Sequence, residues 1–154
     1  MEALAHVLRE RGLHLVTAES CTGGLIAAAC TSIAGSSDWF ERGVVSYSNE
    51  AKSELLGVPA ALIAKHGAVS AEVARAMAEG ALAHSSADLS LAVTGIAGPS
   101  GGTPDKPVGT VWLALARRGE PAQAVLLQLP GGRSEVREQT VDRALQAVLS
   151  ALMS

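Results

Sequence analysis

Leu13-His14-Leu15-Val16-Thr17-Ala18-Glu19 leads directly into Ser20-Cys21-Thr22-Gly23-Gly24 and on into Leu25-Ile26-Ala27-Ala28-Ala29-Cys30-Thr31-Ser32-Ile33. Residues 13–19 alternate and read as a strand, whereas 22–33 is apolar, Ala-rich and of helical length, ending near Gly35. A strand passing through a polar, glycine-rich turn into a buried helix is the opening unit of an α/β layer. The turn itself is a candidate site, because ligands of open α/β sheets bind beyond the carboxyl ends of strands. Its free backbone N–H groups and positive helix end would suit an anion or a developing oxyanion. Ordinary capping by Ser20 or Thr22 would explain the hydroxyls equally well. Two glycines at a helix start nevertheless cost roughly 1 kcal/mol each in propensity, which points to close backbone approach.

Outward from this unit the alternation of element types continues. Residues 2–11 place Leu4, Val7 and Leu8 on one helical face and stop at Gly12. Gly43–Ser48 reads as a second strand, and Glu50–Leu56 as a short helix capped by Asn49 and closed by Gly57. Pro59–Lys65 is a further helical turn, and Ser70 caps a longer helix over Ala71–His84. Leu89–Thr94 is apolar enough for a central strand. After it come thirteen residues, Gly95–Pro107, with four Gly and three Pro. Val108–Arg117 and Ala122–Leu129 form a hairpin across Arg118-Gly119-Glu120-Pro121. Ser134 caps a last helix with an apolar stripe from Val136 to Leu152. The expected architecture is a single domain over residues 1–154. It is a three-layer α/β/α arrangement around a mixed, mainly parallel sheet of about five strands.

Composition narrows the function classes. The 154 residues carry 12 Lys+Arg against 15 Asp+Glu, a formal charge of -3, with 48 % apolar residues and only four aromatics. Such a chain buries roughly two-thirds of its unfolded surface and is too apolar for disorder. The slight acidity argues against a nucleic-acid binder. The absence of any run of about 18 apolar residues argues against a membrane span. Glu2 and the lack of a basic start before an apolar stretch argue against a signal peptide, so the expected location is the cytoplasm. Cys21 and Cys30 make neither a disulfide framework nor a zinc site, and the four His lack i, i+4 spacing. No metal or cofactor is expected.

Three further segments break the pattern. Tyr47-Ser48-Asn49-Glu50-Ala51-Lys52 sits at another strand-to-helix junction, and Lys52 is one of only three Lys against nine Arg. A chain that otherwise uses Arg keeps Lys where a deprotonatable base is needed. Bringing its pKa from about 10.4 to near 7 would cost roughly 4–5 kcal/mol. The plainer alternative is a solvated helix Lys beside Glu50 or Glu54. The loop Thr94-Gly95-Ile96-Ala97-Gly98-Pro99-Ser100-Gly101-Gly102 is long enough for a binding loop, although it matches neither a Walker A loop nor a dinucleotide fingerprint. Finally, Ala34-Gly35-Ser36-Ser37-Asp38-Trp39-Phe40-Glu41-Arg42-Gly43 brings together hydroxyls, an Arg and two aromatics. Trp39 and Phe40 there fit a lid or a subunit contact, but core is the simplest role for each.

These segments, with Gly67-Ala68-Val69-Ser70 and Lys106-Pro107-Val108-Gly109-Thr110-Val111-Trp112, resemble in order and spacing the CinA carboxy-terminal domain family from about residue 4 to residue 152. That is the family of nicotinamide-mononucleotide deamidases. The resemblance implies metal-free hydrolysis of the carboxamide of nicotinamide mononucleotide to nicotinate mononucleotide and ammonia. It also implies a homodimer or higher homo-oligomer, and a stand-alone form without the pyrophosphatase-like domain that often precedes the family. By motif it makes Ser20 the nucleophile, Lys52 its base and Tyr47 a relay or orienter, with the 21–24 turn holding the oxyanion. Thr22, Gly23, Gly24, Ser37, Arg42, Asn49, Thr94 and Gly95 would surround the small-molecule nucleotide. Two departures stand out: Ser100 and Gly132 occupy positions where the family often has Asp. The rival readings are a catalytically weak nucleotide-binding or interaction module of the same fold, and a metal-assisted phosphoester hydrolase. The latter is disfavoured by four dispersed Asp at 38, 88, 105 and 142.

Overall fold

Helix α1 (Glu2–Arg11) closes on Gly12, whose φ of 64° is a conformation that glycine adopts without strain. Helix α1 opens a computed structural model that describes residues 1–154. The chain continues through β1 (Leu15–Glu19), α2 (Leu25–Thr31), a 3-10 turn at Ser36–Asp38, β2 (Phe40–Val45), α3 (Asn49–Leu56), α4 (Ala60–His66) and α5 (Ala71–Ala83). It ends with β3 (Leu89–Gly95), β4 (Thr110–Arg117), β5 (Gln123–Gln128) and the 21-residue α6 (Arg133–Met153). The five strands form one sheet in the order β2-β1-β3-β4-β5. β1 pairs parallel with both β2 and β3, and β4 runs antiparallel to β3 and β5. Four of the five strands therefore point the same way, and the mixed, mainly parallel expectation stands.

Each sheet face has its own apolar layer. Leu15, Leu89, Leu91, Val93, Val111 and Leu113 pack with α1, α2, α6 and Trp39 on one side. Val16, Ala18, Ala92, Ala114 and Ala116 pack with α3, α4 and α5 on the other. The small residues on the second face bring the helices close. Ser90 donates to Ala78 O at 2.7 Å, and a Cβ on Gly80 would lie 1.9 Å from Leu56 O, so α5 meets the backbone of α3 directly. No helix is long and apolar enough to cross a membrane.

Several boundaries shift for local reasons. The cap of α3 is Ser48, whose hydroxyl accepts from Ala51 N, and Asn49 is the first helical residue. Helix α6 starts one residue before Ser134, with Gly132 as its cap and the Glu135 carboxylate accepting Gly132 N–H at 3.3 Å. Residues 21–24 form a turn that delays α2 to Leu25. The second strand begins at Phe40, because its register against Leu15–Glu19 places it there. Ser46–Ser48 then leave the sheet toward α3.

Candidate active site

The carboxyl ends of β2, β1 and β3 lie side by side, and the segments that follow them meet over one end of the sheet. Ser20 follows β1, Tyr47 to Lys52 follow β2, and Gly95 ends β3. Together with Ala68, Val69, Ala97 and Arg133 they line a cleft of about 230 Å³.

Lys52 is the central observation. Its side chain is 1 % exposed, yet no salt bridge reaches it. Nζ donates to Ser20 Oγ at 3.0 Å, to Ser46 O at 3.1 Å and to Tyr47 O at 3.1 Å. Burial lowers the Lys52 pKa from its ordinary value, opposed only by the nearby Cys21. A neutral amine has two N–H donors and one lone pair. In that form the two carbonyls would take the donors and the lone pair would face the Ser20 hydroxyl, which otherwise accepts from Nζ and donates to Tyr47 O at 3.5 Å. The solvated helix lysine is thereby excluded.

The turn after Ser20 is held by a carboxylate. Glu19, 1 % exposed, accepts the Thr22 hydroxyl, Gly24 N–H at 3.2 Å and Ile26 N–H at 2.9 Å on Oε1, and Ala27 N–H at 2.9 Å on Oε2. The positive end of α2 is thus already occupied from within. This corrects the expectation that the whole turn is free for an external anion. Gly23, at φ 58°, gives its N–H to Ser20 O, and Gly24, at φ 111°, caps α2. No backbone carbonyl accepts from Cys21 N–H or Thr22 N–H, and no side-chain oxygen does so either. Two adjacent N–H groups beside the Ser20 hydroxyl have the arrangement that an oxyanion site would require. From α6, Arg137 donates to Cys21 O and Thr22 O, each at 3.2 Å, and fixes the outer side of the turn. The Cys21 thiol is pushed up to about 11, first by burial, and so stays protonated and a poor nucleophile near neutrality.

The remaining candidates divide by position. Asn49 lines the cleft, as do Thr94 and Gly95. The Thr94 hydroxyl donates to Ala68 O at 2.9 Å and ties the 67–70 loop to β3. Gly95 is required by packing, because a Cβ there would lie 2.6 Å from Val111 Cγ2. Tyr47 reaches the dyad through its carbonyl. Its phenol, 61 % exposed, instead lies 3.4 Å from Arg133 Nη2. Ser37 and Arg42 are not in the cleft. Ser37 is exposed on the 3-10 turn before β2, and Arg42, near the amino end of that strand, pairs with Glu41 and donates to His84 O. Trp39 is fully buried in the core, with Phe40 edge-on at 6.2 Å, so neither forms a lid. The sequence reading assigned no role to Glu19, Arg133 or Arg137. No group of three or more His, Cys, Asp or Glu converges as a metal-binding set.

The CinA C-terminal domain model matches residues 1–152. A CinA-like protein of Citrifermentans bemidjiense is 59 % identical over 144 residues, covering 94 % of this chain and 34 % of that protein. The chain spans about a third of the length of the curated relatives it matches. Among solved structures, a competence/damage inducible protein of Agrobacterium tumefaciens is 47 % identical with a TM-score of 0.92, covering 99 % of this chain and 95 % of that one. A competence damage-inducible protein A of Klebsiella pneumoniae is 40 % identical with a TM-score of 0.95, covering 99 % and 94 %. By sequence and by fold, the chain belongs to the CinA C-terminal domain family.

Proposed function

We propose that the chain is an amidohydrolase that converts nicotinamide mononucleotide to nicotinate mononucleotide and ammonia through an acyl-serine intermediate. The observation that carries this reading is the buried Lys52 amine, without a carboxylate partner, 3.0 Å from the Ser20 hydroxyl. Ser–Lys pairs activate hydroxyl nucleophiles when the amine is neutral, and burial moves Lys52 in that direction.

In the proposed cycle Ser20 Oγ passes its proton to Lys52 Nζ and attacks the carboxamide carbon. Cys21 N–H and Thr22 N–H donate hydrogen bonds to the carbonyl oxygen as negative charge develops on it. Collapse of the tetrahedral intermediate breaks the C–N bond, and Lys52 returns the proton to the leaving nitrogen, which departs as ammonia. A water molecule then gives a proton to Lys52 and attacks the acyl ester. Lys52 protonates Ser20 Oγ as the carboxylic acid product separates and ionises. Tyr47 and Ser46 orient the amine throughout by their carbonyls. A cytoplasmic homo-oligomer remains part of this proposal.

The decisive measurement is ammonia release from nicotinamide mononucleotide, with and without chelator. Wild type should turn over in both conditions, whereas Ser20→Ala should bind the nucleotide and release nothing. Near-normal release by Ser20→Ala would remove the nucleophile. Binding without turnover by wild type would favour the catalytically weak nucleotide-binding module.

A further inference from the structure

We infer that Arg137 is a positioning residue that strengthens the oxyanion donors without touching the substrate. Two hydrogen-bonded chains of peptide groups lead from its guanidinium, one to Thr22 N–H and the other to Cys21 N–H. This rests on the proposed acyl-serine chemistry and adds what would make ordinary backbone donors strong enough for it.

The chains follow from which atoms share a peptide group. Arg137 Nε donates to Cys21 O at 3.2 Å, and that carbonyl belongs to the same peptide group as Thr22 N–H. A single link therefore joins the guanidinium to the first donor. Arg137 Nη2 donates to Thr22 O at 3.2 Å, whose peptide group carries Gly23 N–H. Gly23 N–H in turn donates to Ser20 O at 3.1 Å, and the Ser20 carbonyl shares its peptide group with Cys21 N–H. The second donor thus stands at the end of a longer chain from the same side chain. A cationic donor on a carbonyl draws electron density from the N–H of that amide, and bonds in series strengthen one another by about 10–30 % each. Both N–H groups become better donors to a negative oxygen at Ser20.

The surroundings leave the charge free for this. No carboxylate lies within salt-bridge distance of Arg137. The side chain is half-buried against the turn, where a Cβ on Gly23 would lie 3.4 Å from Nη2. It lies outside the cleft lining, so it acts only through the turn. Glu19 takes Gly24, Ile26 and Ala27 N–H on the inner side, and its buried negative charge by itself opposes an oxyanion nearby. Both charges reach Cys21, whose thiol, governed first by burial, is raised by Glu19 and lowered by Arg137. The guanidinium outside the turn offsets the carboxylate inside it.

The test compares the intact chain with Arg137→Gln, which keeps an N–H donor for one carbonyl but no charge, and with Arg137→Lys, which keeps the charge. The readouts are kcat and KM for ammonia release from nicotinamide mononucleotide, affinity for pyridine-3-boronic acid, and backbone amide NMR of the chain without ligand. The boronic acid reports on the site without turnover. Ser20 Oγ bonds to boron, its proton passes to Lys52, and a boron hydroxyl takes the oxyanion position. Losing a whole oxyanion donor costs about 10²–10³ in kcat, so weakening two and removing neither should lower kcat roughly tenfold in Arg137→Gln. KM should stay within a few-fold, because the carbonyl oxygen of bound substrate is still neutral. Boronate affinity should fall by a factor similar to that in kcat, and Arg137→Lys should recover most of both. The Thr22 amide resonances should move upfield, more than those of Cys21, while the Gly24, Ile26 and Ala27 amides bound to Glu19 hold their frequencies. Unchanged kcat and boronate affinity in Arg137→Gln, or an Arg137→Lys no better than Arg137→Gln, overturns the inference. Glu19-bound amides that shift as far as Thr22 overturn it too, by showing a prop without polarisation. Boronate binding that depends on Arg137 in a chain that releases no ammonia leaves the role of Arg137 standing and removes the deamidation reading.

Discussion

Replacing Glu19 by Gln changes one atom of a fully buried side chain and tests how the turn after Ser20 is held. The carboxylate accepts four hydrogen bonds, three of them from backbone N–H groups at Gly24, Ile26 and Ala27. A glutamine offers one acceptor oxygen. With that oxygen in the place of Oε1, the amide NH₂ faces Ala27 N–H donor to donor, and one buried N–H loses its partner at a cost of about 1–3 kcal/mol. The three surviving bonds pass from charged to neutral acceptor, losing about 1 kcal/mol each, and the attraction between a carboxylate and a helix N-terminus, about 0.3–1 kcal/mol, disappears. Against this, a neutral amide is less costly to bury than a carboxylate. A net loss of about 2–4 kcal/mol corresponds to a melting temperature lower by about 4–16 °C for a chain of this size. Scanning calorimetry gives that number directly. Since the same contacts shape the turn that leaves Cys21 and Thr22 N–H unpaired, kcat for ammonia release should fall at least tenfold with KM little changed. A Glu19→Gln chain melting within 2 °C of wild type, with kcat intact, would refute the idea that this carboxylate organises the turn.

Two other expectations concern the base and the helix that carries it. Because burial lowers the Lys52 pKa, kcat/KM should rise with pH along a limb with its midpoint below 10.5, and Lys52→Arg, which cannot be deprotonated, should be inactive at every pH. Stability carries the same signature. Between the lowered native pKa and the unfolded value only the unfolded chain holds the proton, so wild type should gain stability as pH rises through that window. Lys52→Met should lack the gain, and identical pH–stability slopes in the two proteins would contradict the buried amine. Gly80→Ala places a Cβ 1.9 Å from Leu56 O, in the helix that carries Lys52. Overpacking of about 3 kcal/mol outweighs the ~1 kcal/mol gain in helix propensity. Thermal melts should drop by about 4–8 °C together with activity, and a stabilised Gly80→Ala would show that the two helices have room to separate.

The fold was legible wherever it depends on periodicity, and the site wherever it depends on residue type. The strand, turn and helix of 13–33 marked the turn as a candidate site and the scarcity of lysine singled out Lys52, but the pairing of Ser20 as nucleophile with Lys52 as base came from the family resemblance. What escaped depends on direction and on long-range contact. Ser37 and Arg42 are close in sequence to Tyr47, but β2 starts at Phe40 and runs toward the cleft, leaving them at its other end. Arg133 and Arg137 reach Tyr47 and Cys21 across 86 and 116 residues, separations at which a local pattern carries no information. Glu19 was visible as a letter in the motif. Its function was not, since its partners are mostly backbone N–H groups, whose availability is set by the turn rather than by side-chain identity.

The lack of any acidic side chain in the cleft bears on how an amide-cleaving cycle would end. Substrate carries a neutral carboxamide at Ser20, whereas product carries a carboxylate in the same place, beside a Lys52 that holds a proton whenever the pH lies below its pKa. Chemistry would thus create an ion pair that did not exist before it, in a wall with nothing negative to push the product away. Such a cycle would hold its carboxylate product more tightly as the pH falls and Lys52 takes up its proton, so product inhibition would deepen toward low pH.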